Sequence, residues 1–575
     1  MDKRFGSKVA TVLLVMAIAL TLIISGCTTS SNTSSNNTNN KTTNDTGSTT
    51  MGAPGNFSVV EMAYGEAASL DPASSDSYDS ASQEVIQNVY ETLFYFNGSD
   101  INTPIPVLAT GYNASPDNLV YTITLRPNIK FHSGDPMNAT AVKYSLDRLL
   151  LVNNGQASSN FLGTVKGYTD YSNSNHTQAD VDAYLKAGGV TVLNDTAVQI
   201  TLEKPNPDFI KMLTFCACSI INPNFDQAHG GYNATGQTGT AYLTEHEDGT
   251  GPFILDHWNH KQEVALKRND NYWGTKALPS MAYIKEVDDW NTRLLAIQNG
   301  DADIVNVDQK NAPDVMNDTN LVVESKYGRL YVLTTCYDQR YWPFNDQRVR
   351  EAFSESIDYN TYINSQLNGL GQRIGGPIPQ GLLGYDTNAK LVPFDPDHAK
   401  KLLQDAGFSK SNATTITITY NTGNDNRKTL AQMMKSQIES YDLGITVNVQ
   451  DMAWPEYTKA MDQSQLPCYI VAWGADYPST DNFVSCYLAP NGYYTQQIAY
   501  KNDSVFALYN QTLTEKDPAK RGDLYKQIQA DSFSDYPYSY VYQPSEFLVY
   551  KKGLNGVYWN TMTGGEGVLF STVYK

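Results

Sequence analysis

Hydrophobic and polar positions change period repeatedly along this chain, and each change marks an element. FSVVEMAY, from Phe57, reads as a strand. In SASQEVIQNVYETLFYF the apolar residues Val85, Val89, Leu93 and Phe96 recur on one side of a helix, which predicts helix through the whole stretch. LVYTITLRPNIKF alternates as a strand, and SGDPMNATAVKYSLDRLL follows as a turn feeding a capped helix. VTVLNDTAVQITLE is a hairpin, two β-branched runs around Asn194-Asp195. GTGPFILDHWNHKQEVALKRN is a second hairpin with its turn near Asn259.

The C-terminal half reads differently. DQRVREAFSESID sets Val349, Phe353 and Ile357 on one helical face. DPDHAKKLLQDAGF is a helix with acid at its start and Gly407 as its stop. TTITITYNTG, RKTLAQMMKSQIESYDLG and ITVNVQDM then follow as strand, helix and strand. That order implies a crossover between parallel strands, hence an α/β fold. No internal repeat interrupts this.

The N-terminus adds the compartment: the chain reads as exported. Lys3, Arg4 and Lys8 precede an apolar run from Val9 to Ile24, and the run ends in ISGC at Cys27. A basic segment, an apolar segment and small residues form a secretory signal, and ISGC resembles a lipobox, which implies cleavage before Cys27 and a lipid on its thiol. An uncleaved anchor helix is the alternative; both export the chain and tether it to a membrane. Residues 28–55 are almost all Ser, Thr, Asn and Gly and read as a disordered tether. Acceptor sequons for N-glycans occur there at Asn32, Asn36, Asn40 and Asn44, and later at Asn97, Asn138, Asn233 and Asn412.

The rest, about 520 residues, exceeds a single core at 100–200 residues per domain. A net charge of −19 argues against nucleic acid as a partner. Beyond Cys27, Cys216, Cys218, Cys336, Cys468 and Cys486 form no disulfide framework. Cys216 and Cys218 lie in an apolar run and read as small buried residues; one disulfide among the five is open.

Six segments together carry a resemblance: FHSGDPMNATAVKYSLDRLL, GTGPFILDHW with LKRNDNYWG, LLAIQNGDADI, WPFNDQRVREAFSESID, FDPDHAKKLLQDAGF and WGADYPSTDNF. In this order they resemble the extracellular solute-binding proteins of the peptide/nickel class of ABC importers, over nearly the whole chain from about Asn56. The resemblance implies a bilobal, periplasmic-binding-protein-like fold (type II, cluster C) that closes over a solute. Lobe I would comprise residues 56–92, 189–324 and 536–575, an insert domain 93–188, and lobe II 325–535, with hinge strands near Tyr331–Thr335 and Ser539–Gln543. The implied protein is a monomeric receptor without cofactor that hands a short peptide to permease and ATPase subunits.

The resemblance also assigns residues. Peptide-binding relatives hold the ligand's α-ammonium group on an Asp that matches Asp476, with Trp473 as the aromatic beside it and Tyr477 next in the pocket. A charge-assisted hydrogen bond in a closed cleft suits that task. Asn426 and Arg427, in YNTGNDNRKTL, stand where relatives place polar or basic contacts, and Arg suits a carboxylate through its planar fork; a surface Arg is the other reading. Tyr341 and Trp342 add aromatics near the hinge, so a ligand with a ring or a nickel chelate is an alternative solute. His257 and His260 are the one close histidine pair, but a hairpin tip is a poor place for direct metal ligation, so no metal site is expected. No nucleophile elbow, zinc-protease helix or phosphate loop is present, so no enzyme is expected. Abundant acid pairs leave a carboxylate-based surface hydrolase as the alternative from another class.

Overall fold

The computed structural model describes residues 55–575, apart from positions 64, 78, 99, 101–102, 153–161, 232–240, 308, 328–329, 423 and 559–566. The signal segment, Cys27, nearly all of the tether and Asn233 lie outside the described residues. No helix among the described residues is long and apolar enough to cross a membrane.

One large sheet runs through both lobes. Across it the strands are Ile445–Met452, Thr414–Asn421, Cys468–Gly474, Tyr331–Tyr337, Tyr538–Lys551, Ile304–Val305, Ser58–Ala63, Met281–Glu286, Glu263–Arg268 and Phe253–Asn259. The crossover expected from sequence is present: Thr414–Asn421 pairs in parallel with Ile445–Met452, and helix Asp425–Ser440 joins them. Both expected hairpins also form, at 190–201 and 253–268.

The strand Tyr538–Lys551 belongs to both lobes. Its first residues, Tyr538–Tyr542, pair with Tyr331–Tyr337, and Ser545–Lys551 pair with Leu321–Tyr327. The chain therefore crosses between lobes twice, between Tyr327 and Tyr331 and at 543–545. Both hinge strands expected from the resemblance lie on the lobe II side of these crossings.

Alternation along a strand explains the two cores of lobe II. In CYIVAWG, Cys468 and Ile470 join Val349, Phe353, Leu430 and Ile438 on one face. Tyr469, Val471 and Trp473 join Tyr457, Phe483 and Tyr487 on the other. A strand covered on both faces must be apolar throughout, which is how this run reads. Five cysteines are free thiols, so no disulfide links them.

Two expectations need correction. The helix at Ser80 stops at Val89, and Phe94–Tyr95 is a short strand instead. Gly251 donates its N–H to the Val89 carbonyl, Ile220 to that of Glu91 and Val107 to that of Leu93, so distant residues claim the carbonyls a longer helix would use, while the Glu91 carboxylate accepts from Tyr272, Trp273 and Thr250. The insert also continues past Gly188: hairpin 190–201 completes a separate four-stranded sheet with Ala109–Ala114 and Val120–Leu125. Val198 and Ile200 bury in the insert core, and this fixes the hairpin there. A buried ion pair ties the insert to lobe I, with Arg148 bidentate on Asp71 at 2.7 and 2.5 Å and its Nε 3.2 Å from Asp226.

Candidate functional site

Strand order places the candidate residues. From Thr414–Asn421 the chain moves to one side of the sheet, to Ile445–Met452; after Cys468–Gly474 it moves to the other, ending at Tyr538–Lys551. The two strands run parallel side by side, with Thr419 opposite Tyr469. Between them the connections diverge, and in α/β sheets the crevice at the carboxyl ends of such strands is where ligands bind. The loop after one strand leads to Asn426 and Arg427. The loop after the other carries Asp476.

Asp476 is 3% exposed, with Trp473 beside it at 9%. One side chain engages both. Asn482 accepts from the Trp473 indole N–H at 3.0 Å and from the Asp476 backbone N–H at 3.1 Å, and its amide nitrogen donates to Asp476 Oδ2 at 3.0 Å. Asn482 lies in the first turn of helix Thr480–Leu488, which Ser479 caps. The Trp473 ring meets Tyr494 edge-on at 5.8 Å and Tyr493 tilted at 6.1 Å. The loop is pinned to the lobe crossing by the Ala475 N–H, 2.8 Å from the Leu330 carbonyl.

Arg427 is buried, not a surface residue. Its Nη1 donates to Asn421 Oδ1 at 2.7 Å, and its backbone N–H to the helix-capping Asn424 at 2.9 Å. Burial works against its charge, but Tyr331 and Tyr457 favour it more, so its pKa lies above the ordinary guanidinium value. Tyr331 is the register partner of Gly474, just before the Asp476 loop. Asn426 is half-buried and accepts through its backbone carbonyl from the Tyr362 hydroxyl at 3.0 Å.

Tyr477 lines the cleft described below and also reaches past it into the insert. Its ring is fully buried and packs with the apolar core of the insert, and its hydroxyl points to Asp481 at 3.4 Å. Pro478 and Ser479 continue this seam: Lys211 donates to the Pro478 carbonyl at 3.0 Å, and the Ser479 hydroxyl to Asp208 at 2.7 Å. Asp481 is pushed up to about 6 by burial and by the charge of Asp208, against the pull of Tyr509 and Arg521. Elsewhere Lys310 meets Asp425 at 3.2 Å. The two lobes are thus in contact on both flanks.

Between insert and lobe II lies a cleft of about 460 Å³, with Thr164, Asn206 and Met212 on one wall and Trp473, Asn482 and Tyr493 on the other. That is the size of a small-molecule site. Asp476 lies one hydrogen bond behind Asn482.

The histidine pair holds no metal geometry. His257 lies between Asp256 and Glu263, and His260 between Glu66 and Glu245, so each ring already faces its own carboxylates. Among the described residues, Glu351, Glu355 and His398 bring ligand atoms within 4.8 Å, on two lobe II helices, with His398 bonded to Glu355 at 2.7 Å.

As site residues, sequence reasoning missed Asn482, Tyr457, Asp208 and Lys211, and it placed Tyr331 only on a hinge strand. Only Asn482 had a local signal, three residues after a serine in a cap position. The others come from distant segments.

The comparisons agree with this architecture. The profile of bacterial extracellular solute-binding proteins, family 5 middle, matches residues 103–495. The probable D,D-dipeptide-binding periplasmic protein DdpA of Escherichia coli is 28% identical over 462 residues, 79% of this chain and 82% of its own. The glutathione-binding protein GsiB of Shigella flexneri is 28% identical over 514 residues, covering 86% of this chain and 90% of its own. The Helicobacter pylori periplasmic binding protein DppA, in complex with peptide STSA, superposes with a TM-score of 0.74 at 24% identity, over 91% of this chain and 98% of its own. With the profile spanning well over half of its length, this chain belongs to the bacterial extracellular solute-binding proteins of family 5, the receptors of ABC importers, and is not an enzyme.

Proposed function

We propose that this receptor captures a short peptide, or a small solute with a free cationic amine, between its lobes and delivers it to an ABC importer from a membrane tether at Cys27. The observation that carries the reading is Asp476: a buried carboxylate in a fixed orientation beside Trp473, at the point where strand connections diverge. Its negative charge suits an α-ammonium group in a water-poor site. Arg427, buried at the neighbouring loop, suits the ligand's carboxylate. Relatives named for D,D-dipeptide and glutathione, and a fold neighbour holding peptide STSA, favour the same solute class. Closure about the two strand crossings would mark the loaded state for the importer.

Mass spectrometry of ligand released from the purified protein by denaturation tests the solute class. Peptides with free N-termini support it, and a nickel chelate or an amine-free solute overturns it. The tether is tested separately with Cys27→Ser: processing and membrane retention should both be lost, and unchanged retention with unchanged processing refutes lipidation.

A further inference from the structure

The amide of Asn482 is 1% exposed and makes three hydrogen bonds to the two residues that the peptide reading places at the ligand's amino end. Their chemistry fixes which way it points. The indole N–H of Trp473 and the backbone N–H of Asp476 only donate, so the atom facing them must be the amide oxygen; the Asp476 carboxylate accepts, so the atom facing it must be the nitrogen. A Leu of similar size satisfies none of the three, and an Asp satisfies the two donors but turns a second carboxylate on Asp476.

The residue is itself held. Its backbone N–H donates to the Ser479 carbonyl at 3.2 Å, in the helical turn whose cap also donates across the seam to Asp208. Asn482 thus joins a rigid helix start to both candidate contacts. A binding group stays in its productive geometry only when such a partner fixes its rotamer.

We propose that Asn482 is the positioning residue of the amino-end site: it orients the Asp476 carboxylate and the Trp473 ring, and so sets the preference for solutes with a free cationic amine. This rests on the peptide reading. The test is calorimetry with the full mature protein, using an equimolar dipeptide library and the same library N-acetylated. Wild type should prefer the unblocked library, and Asn482→Ala should lose affinity for it by about ten- to a hundredfold, the worth of one hydrogen bond to a charged group. The acetylated library should be affected by less than about threefold, well under the tenfold that 1.4 kcal/mol represents.

Asn482→Asp keeps the shape and covers the case where the alanine variant does not fold. Two facing carboxylates share a proton, so binding of the unblocked library should gain a titration step between about pH 5 and 8 that wild type lacks. The Trp473 indole N–H resonance, identified by Trp473→Phe, should also shift in either variant. If Asp476→Ala abolishes the preference for free amines while both Asn482 variants keep it, and no new titration step appears, the positioning role is wrong and the peptide reading stands. If wild type shows no such preference, the reading itself fails and takes this inference with it.

Discussion

The Ser479 hydroxyl donates to Asp208 at 2.7 Å, joining the loop that follows Asp476 to the insert on the opposite side of the cleft. The same oxygen accepts the Asp481 N–H at 3.1 Å, so the helix cap and the seam share one atom. Arg521 stands 3.7 Å from the other Asp208 oxygen. On the closure proposed above, this charge-assisted contact forms beside the ammonium-binding candidate. Asp208→Ala should leave each lobe folded but weaken the closed state. The affinity for unblocked and N-acetylated dipeptides should fall alike, by about tenfold if one such bond of about 1.5 kcal/mol is lost. Small-angle scattering should show a smaller ligand-induced decrease in radius of gyration than in wild type. A full decrease in the variant would remove the seam from the closure mechanism.

The seam should also respond to pH. Asp481 is pushed up to about 6, by burial first and then by Asp208, while Tyr509, Arg521 and Tyr477 favour its charge. An acid with a raised pKa binds its proton more tightly in the folded protein. Its contribution to stability is fully present below the ordinary value of 3.8 and is lost as pH rises through about 6. Asp481→Asn, which cannot ionise, should gain melting temperature relative to wild type across that window. A difference that stays constant from pH 4 to 7 would show that Asp481 does not titrate there.

Much of this was legible in the sequence because it is local. Gly407 after a run of helix formers, the Asn194-Asp195 hairpin and the Thr414–Met452 crossover each depend on neighbours in the chain. The misread helix at Ser80 shows the limit: Glu91 is held by Thr250, Tyr272 and Trp273, and no window of sequence contains those partners. The packing of Tyr477 was hidden for the same reason, since the insert core that receives its ring comes from an earlier part of the chain. Asp476 and Trp473 were visible only through a resemblance. Their bond network was not, because an asparagine at a helix start usually serves only the backbone.

Arg427 is the expected partner for a ligand carboxylate. Its guanidinium is buried beside Tyr331 and Tyr457, and Asn421 orients one nitrogen. Arg427→Lys keeps the charge but loses the planar fork. It should lower affinity for dipeptides by about tenfold, or about 1.4 kcal/mol, and leave affinity for their C-terminal amides nearly unchanged. Equal losses for acids and amides, measured by calorimetry, would assign Arg427 to the fold of lobe II alone.

Asp476 decides the reading, and a double cycle isolates its part. If it receives the α-ammonium group, Asp476→Ala leaves that cation buried without its counter-charge. Truncating one partner of such a pair costs about 2–5 kcal/mol, much of it the penalty on the abandoned charge. Ligand-free stability should fall by much less, because the Asn482 amide loses only one of its three partner bonds. N-acetylation of the peptide should weaken wild-type binding by a similar amount and the variant's by far less, since the charge is then absent from both sides of the contact. Calorimetry on the four combinations gives the coupling directly. Equal acetylation losses in wild type and variant would place Asp476 outside the ammonium site, whatever its burial, and Trp473 would then serve the lobe II core rather than the ligand.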